Sequence, residues 1–203
     1  MNLKIKKAIE NIIQGKLVAI PTDTYFALGA NGLNPSAIKK IYEVKGRNYS
    51  SPIPLLISNQ NMAENISKNL PDLFFKLAER FWPGPMTIVV DANDKVPFIV
   101  KSKSNKVGIR IPKHKVCLEV IKKTNFPLSG TSCNISGMNP SKSHDFINSN
   151  YTNLVDFVLE EPCGIETAPS TVLEIIDNSI KIIRYGAIKK EAIKKHLPDI
   201  FIY

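Results

Sequence analysis

Apolar residues recur at Leu3, Ile5, Ala8, Ile9, Ile12 and Ile13, the spacing of one helix face, and Gly15 follows as a stop. The unbroken apolar run at 17–20 ends at Pro21 and predicts a short buried strand. Asn34 and Pro35 supply a cap and a first-turn proline for a second helix. Its stripe is Ile38, Ile41 and Tyr42, and it leads into Lys45-Gly46-Arg47. A strand is expected over 53–57, near a sheet edge because Pro54 cannot donate to a ladder. Helical spacing runs from about 61 to 81 with a break at Pro71, and Trp82-Pro83-Gly84-Pro85 makes a rigid turn. Strands are expected at 86–90 and 107–111, a helix at 116–123 and an extended stretch at 128–133. Further strands are expected at 154–159, 171–176 and 180–183, then a basic helix at 189–197.

This irregular alternation, without repeats, low-complexity tracts or a long linker, predicts one α/β domain over residues 1–203 built on a mixed sheet. A content of 43% hydrophobic and 22% charged residues excludes a disordered chain. Cys117, Cys133 and Cys163 are too few and too scattered for a disulfide framework or a zinc knuckle, and the three histidines form no ligand pair. No stretch approaches the ~20 apolar residues needed to span a bilayer. Met1 to Gln14 begins with basic residues but lacks the unbroken apolar core of a signal peptide, so a cytoplasmic address is expected. A net charge of +9, from 27 basic and 18 acidic residues, suits phosphate-bearing partners; it equally suits a plain solvated surface.

Candidate chemistry gathers in polar clusters at strand ends. Pro21-Thr22-Asp23-Thr24 follows the first strand and suits either a small polar ligand or a self-bonded turn. Lys45-Gly46-Arg47 pairs a point charge with a planar guanidinium, a grip for polyphosphate or a capped helix end with cations on its dipole. Residues 129–137, SGTSCNISG, combine hydroxyls with glycines that allow close backbone approach to an anion, yet match no Walker or dinucleotide-binding loop. Cys133 has no nearby histidine to activate it and reads as a small buried thiol. Arg110 and Arg184 each stand among strand-forming apolar residues, where a lone arginine normally points to solvent. From residue chemistry alone, a basic α/β protein with a possible anion site is as far as the sequence goes.

In order, the blocks PTDTYFALGA (21–30), KGR (45–47), WPGPMTIVV (82–90), VGIRIP (107–112), TSCNISG (131–137), PSTVLEI (169–175) and IIRYGAI (182–188) resemble the YrdC-like family of threonylcarbamoyl-AMP synthases. The resemblance covers nearly the whole chain, in the family's order and approximate spacing. It implies a twisted mixed sheet flanked by helices around a basic concave cavity. It also implies condensation of L-threonine with bicarbonate, then adenylylation of the carbamate by ATP with magnesium. By position it implies threonine contacts at Thr24, Arg110, Gly130 and Ser170. Nucleotide contacts fall on Arg47, Ser51, Lys106, Ser132, Ser141 and Arg184, with Ser51 and Lys106 unusual in type. Lys45, Arg47, Ser132 and Asn134, in the K-x-R and S-x-N pairs, are the implied catalytic set. Phe26, Ala27, Asn48, Cys133 and Tyr185 depart from the family's common residues without removing a cation or hydroxyl from those pairs.

Two other functions fit parts of this pattern. A non-catalytic relative binding double-stranded RNA or tRNA would use the same basic cavity. A carbamoyl-AMP-forming domain of hydrogenase maturation proteins would carry paired-cysteine zinc motifs, which are absent here. The short chain resembles the one-domain members of the family. The resemblance further implies weak tRNA binding, and a tRNA-modifying transfer enzyme with its accessory subunits as downstream partners.

Overall fold

The computed structural model of the chain describes residues 2–101 and 104–203; Met1, where the basic N-terminal stretch begins, lies outside the described residues, as do Ser102 and Lys103. The first helix, α1 (Leu3–Ile13), is capped by the Asn2 side chain, which accepts from Lys4 N. It buries Ile5, Ala8, Ile9 and Ile12 against Cys117, Val120 and Ile121 of α6 (Lys115–Thr124). Periodicity therefore places both helices on one side of the molecule, over the first strand.

That strand, β1 (Val18–Ile20), is wholly buried and turns through Pro21–Phe26 into β2 (Ala27–Gly29), its antiparallel partner. With β8 (Phe157–Val158) parallel to β1 and β7 (Thr131–Ser132) antiparallel to β2, they form a four-stranded sheet ordered β7-β2-β1-β8. The second sheet has six strands. Its centre is β4 (Met86–Asp91), antiparallel to β5 (Lys106–Arg110) and parallel to β9 (Thr171–Ile176). Beyond them lie β10 (Ser179–Arg184) on one flank, and β3 (Leu55–Leu56) and β6 (Leu128–Ser129) on the other. The mixed α/β class is as expected, with the strands shared between two sheets. Residues 128–132 join them: β6 ends at Ser129 and β7 begins at Thr131, with Gly130 between.

Side-chain alternation gives the larger sheet two unlike faces. Met86, Ile88, Val107, Ile109 and Leu173 are at most 1% exposed and join Phe74, Leu77 and Trp82 in the core. Phe74 and Leu77 come from α4 (Asp72–Phe81), which starts after Pro71 and so explains the break in the helical pattern; α3 (Gln60–Ile66) precedes it. The intervening strand residues look the other way, into a cavity. The remaining helices are α2 (Pro35–Lys45), α5 (Phe98–Lys101), α7 (His144–Asn150) and α8 (Lys190–His196).

The edge position expected for the strand around Pro54 is corrected. β3 lies inside the sheet between β5 and β6, and it is only two residues long. Pro54 sits just before it, so no ladder amide is missing, and its carbonyl accepts Gly130 N at 2.7 Å. Likewise the strand expected over 154–159 narrows to Phe157–Val158.

The end of β10 returns to the start of β9 at Gly186. A Cβ at that position would meet Pro169 O at 2.3 Å and Thr171 N at 2.5 Å, both backbone atoms. Gly186→Ala is therefore expected to destabilise the fold by roughly 1–3 kcal/mol, the usual cost of overpacking a site that cannot yield. Urea denaturation of the two proteins measures it.

Candidate functional site

The polar face of the six-stranded sheet floors a cavity of about 770 Å³. β5 contributes Lys106, Gly108 and Arg110; β4 contributes Thr87 and Val89; Ser170, Val172 and Glu174 come from β9 and the residue before it. The walls come from the loop after β1, the segment at 47–54, the 130–134 turn and Arg184. Three guanidiniums, Arg47, Arg110 and Arg184, thus face one space.

Arg110 does not point to solvent as a lone strand arginine would; it is 6% exposed. Its Nε donates to Gly84 O at 3.0 Å, one terminal nitrogen to Thr24 Oγ1 at 3.3 Å and the other to Asp23 Oδ1 at 2.5 Å. These bonds fix the guanidinium and leave two of its five N–H groups without a partner among the described residues. Thr24 is oriented in turn by Thr22, whose hydroxyl lies 3.1 Å from Thr24 Oγ1 and accepts from Thr24 N. On the other side Ser170 Oγ lies 3.0 Å from Thr87 Oγ1 and accepts from Arg184 at 3.0 Å. Arg184 also donates twice to the Ser170 carbonyl, and burial with the fields of Arg110 and Arg47 lowers its pKa. Gly130 leaves little room for a side chain: a Cβ there would sit 3.0 Å from the Leu56 side chain and 3.2 Å from Pro54 O. Thr24, Arg110, Gly130 and Ser170, drawn from four separate parts of the chain, line one cavity.

The expected nucleotide-side residues divide. Arg47, Ser51, Ser132, Asn134 and Arg184 line the cavity. Arg47 is steadied by the carbonyls of Ser51 and Pro52, at 3.4 and 3.1 Å, and the Ser51 carbonyl also accepts from Tyr42 OH. Lys106 lines it too, but is paired with Glu174 at 2.5 Å, which raises the lysine pKa. Ser141 is not among the lining residues; its hydroxyl accepts Ser143 N, and its carbonyl receives Phe26 N at 3.1 Å.

Lys45 is also redirected. It is 2% exposed, is not among the lining residues, and spends its ammonium on Ser132 O (2.5 Å), Asn134 O (2.6 Å) and Asn134 Oδ1 (3.2 Å). Asn134 donates to the carbonyls of Ile135 and Met138 and accepts from Ser132 Oγ at 2.5 Å. Lys45 therefore holds the Ser132–Asn134 turn in place from behind, and its ammonium does not line the cavity. Cys133 beside it is buried, and burial pushes its thiol up to about 12, so it is no nucleophile.

Sequence reasoning missed Glu174 and Thr87 as cavity residues, and missed Asp23 as the partner of Arg110. The signal was present as alternation: in 169–175, PSTVLEI, the residues that alternate with Thr171 and Leu173 are Ser170, Val172 and Glu174.

Desolvation, then the nearby Arg47 charge, lower the pKa of Lys45 from 10.5 to about 8. Between these values the folded protein has released a proton that the unfolded chain still binds, so stability rises with pH across that window. Relative to Lys45→Met, which has no such proton, the wild type should gain about 1–3 kcal/mol on going from about pH 7.5 to about pH 10.5. Urea melts at the two pH values give this difference.

A family model described as "Telomere recombination", the Sua5/YciO/YrdC domain, matches residues 10–186. The threonylcarbamoyl-AMP synthase of Pyrococcus abyssi is 33% identical over 98% of the chain, and that of Bacillus subtilis 32% over 98%. The chain spans 59% and 58% of those two proteins' lengths. The crystal structure of P. abyssi Sua5 complexed with L-threonine superposes with a TM-score of 0.93 at 32% identity, covering 98% of this chain and 58% of that one. With the fold, the sequence and the family model in agreement, the chain belongs to the Sua5/YciO/YrdC family.

Proposed function

We propose that this chain makes threonylcarbamoyl-AMP from L-threonine, bicarbonate and ATP. The observation that carries the reading is the convergence of the Arg110–Thr24–Ser170 cluster with Arg47 and Arg184 in one cavity. The likeness to a Sua5 structure that holds L-threonine supports it.

The two uncommitted N–H groups of Arg110 match an α-carboxylate, and the hydroxyls of Thr24 and Ser170 flank the same position. The threonine amine must be neutral to attack carbon, and the three guanidiniums disfavour its ammonium form. The amine adds to bicarbonate carbon with loss of water, giving a carbamate. A carbamate oxygen then bonds to the α-phosphorus of ATP as the α–β anhydride bond breaks, and pyrophosphate leaves. Arg47 and Arg184 are placed to hold phosphate oxygens and offset the charge that develops on them. Ser132, whose hydroxyl donates to Asn134 and whose carbonyl accepts from Lys45, gives this side of the cavity a fixed polar wall. The chemistry asks for oriented cations and hydroxyls rather than a nucleophile, in keeping with the inert Cys133.

The carboxylates close to this space, Asp23 and Glu174, are each committed to a cation. Magnesium would therefore be carried on the ATP phosphates, where it offsets their charge. Threonylcarbamoyl-AMP made here would be handed to a tRNA-modifying transfer enzyme and its accessory subunits. The net charge of +9 supports weak tRNA association near that destination. Among the described residues no helix is long and apolar enough to cross a membrane.

Pyrophosphate release is expected only when threonine, bicarbonate and ATP are all present. Equal release without threonine or without bicarbonate would mean ATP hydrolysis or direct amino-acid activation. Ser170→Ala should raise the KM for threonine roughly tenfold, the usual worth of a hydrogen bond to a charged group. For tRNA, filter binding at low and physiological salt should show affinity falling roughly tenfold or more as counterion release is suppressed. No binding at low salt would remove tRNA from the partners and leave the synthase reading intact.

A further inference from the structure

The cavity floor is ordered in rows because neighbouring strands are held in register. Thr87 pairs with Val172, and Val172 with Arg184, just past a register shift in β10 between Ile182 and Arg184. Arg110, one residue beyond the Ile109–Ile88 pair, extends this row. Two residues along, about 6.5 Å away, Gly108, Val89 and Glu174 form the next row. Lys106 stands beyond it, opposite Asp91, and reaches diagonally over Val89 to Glu174.

The two rows differ in charge and in shape. The first carries Arg110 and Arg184. The second offers the bare Gly108 and the apolar Val89, and its lysine neighbour is neutralised by Glu174 at 2.5 Å. Anionic groups are drawn to the first row, the threonine carboxylate to Arg110 and phosphate to Arg184; the second suits something flat and uncharged. Yet an ion pair ends that row, with Glu174 only 15% exposed and Lys106 33%. Among the described residues the carboxylate is engaged by Lys106 through Oε1 alone, which leaves Oε2 able to accept a hydrogen bond.

We propose that the nucleoside half of the nucleotide lies over Gly108 and Val89, with Glu174 accepting from its donors and Lys106 holding the carboxylate in place. This rests on the ATP-using reading above. The donors are either the exocyclic amine of the base or the ribose hydroxyls; the carboxylate chemistry is the same for both. Glu174 then becomes a specificity-determining residue, while affinity for the phosphates stays with the arginines.

Calorimetric binding of ATP, 2′-deoxy-ATP and purine-riboside triphosphate, which lacks the 6-amino group, tests this. The wild type should bind at least one analogue on the order of tenfold more weakly than ATP, the one affected telling ribose from base. Glu174→Ala should bind ATP and that analogue equally. The double exchange Lys106→Glu with Glu174→Lys separates recognition from a cross-strand staple. It restores the pair and the melting temperature but moves the carboxylate, so discrimination should stay lost. Discrimination that survives Glu174→Ala, that is absent from the wild type, or that returns with the exchanged pair overturns the proposal. A wild type that binds ATP with none of these effects leaves the synthase reading standing; a wild type that binds no ATP removes that reading itself.

Discussion

A guanidinium taken out of water costs several kcal/mol unless its donors find fixed partners, and Arg110 meets that demand with three groups from two places. Gly84 belongs to the turn before β4, while Asp23 and Thr24 belong to the loop after β1. Since β1 and β5 lie in different sheets, the Asp23–Arg110 pair fastens one sheet to the other at the cavity wall. Gly164 packs against the Asp23 backbone, where a Cβ would approach within 2.7 Å, and its amide donates to Thr22 O at 2.8 Å. The remaining Asp23 oxygen, Oδ2, is buried and has no hydrogen-bond partner among the described residues, a cost borne beside the site. The cation facing the ligand is thus held rigid before anything binds.

Arg47 and Lys45 show how differently two neighbouring cations can be used. Gly46 takes up the left-handed conformation (φ 57°) that ends α2, so the chain reverses between them. One side chain faces the cavity and the other is buried behind it. The tripeptide is a capped helix end, and one of its two cations lines the cavity. What sequence could not supply is direction, because a single turn residue decides which way each side chain leaves the backbone.

The long periodic segments were legible. α1, α2, α4, α6 and the strands β4, β5 and β9 follow their apolar spacing because each buries a continuous stripe. Elements without a stripe were not. β2 is three residues in a short stretch buried on both faces, without alternation, α5 has four residues, and α7 buries Ile147 alone. The site was legible as types of residue at particular places, since Thr24, Arg47, Arg110, Ser132, Ser170 and Arg184 all reach the cavity. Its pairings were not, because Asp23 with Arg110 and Lys106 with Glu174 join residues 87 and 68 positions apart.

Residues 128–132 belong to both sheets in immediate succession, with Gly130 as the step between. A strand's faces exchange with every residue gained or lost. One insertion here would therefore put Ser132 out of phase with β2, or Leu128 and Ser129 out of phase with β3. Diversity of length within the fold has to accumulate elsewhere, in exposed turns such as 152–153 that carry no strand register. A library built to vary this protein can randomise loop lengths there, while 128–132 admits exchanges of residue type and no change of spacing.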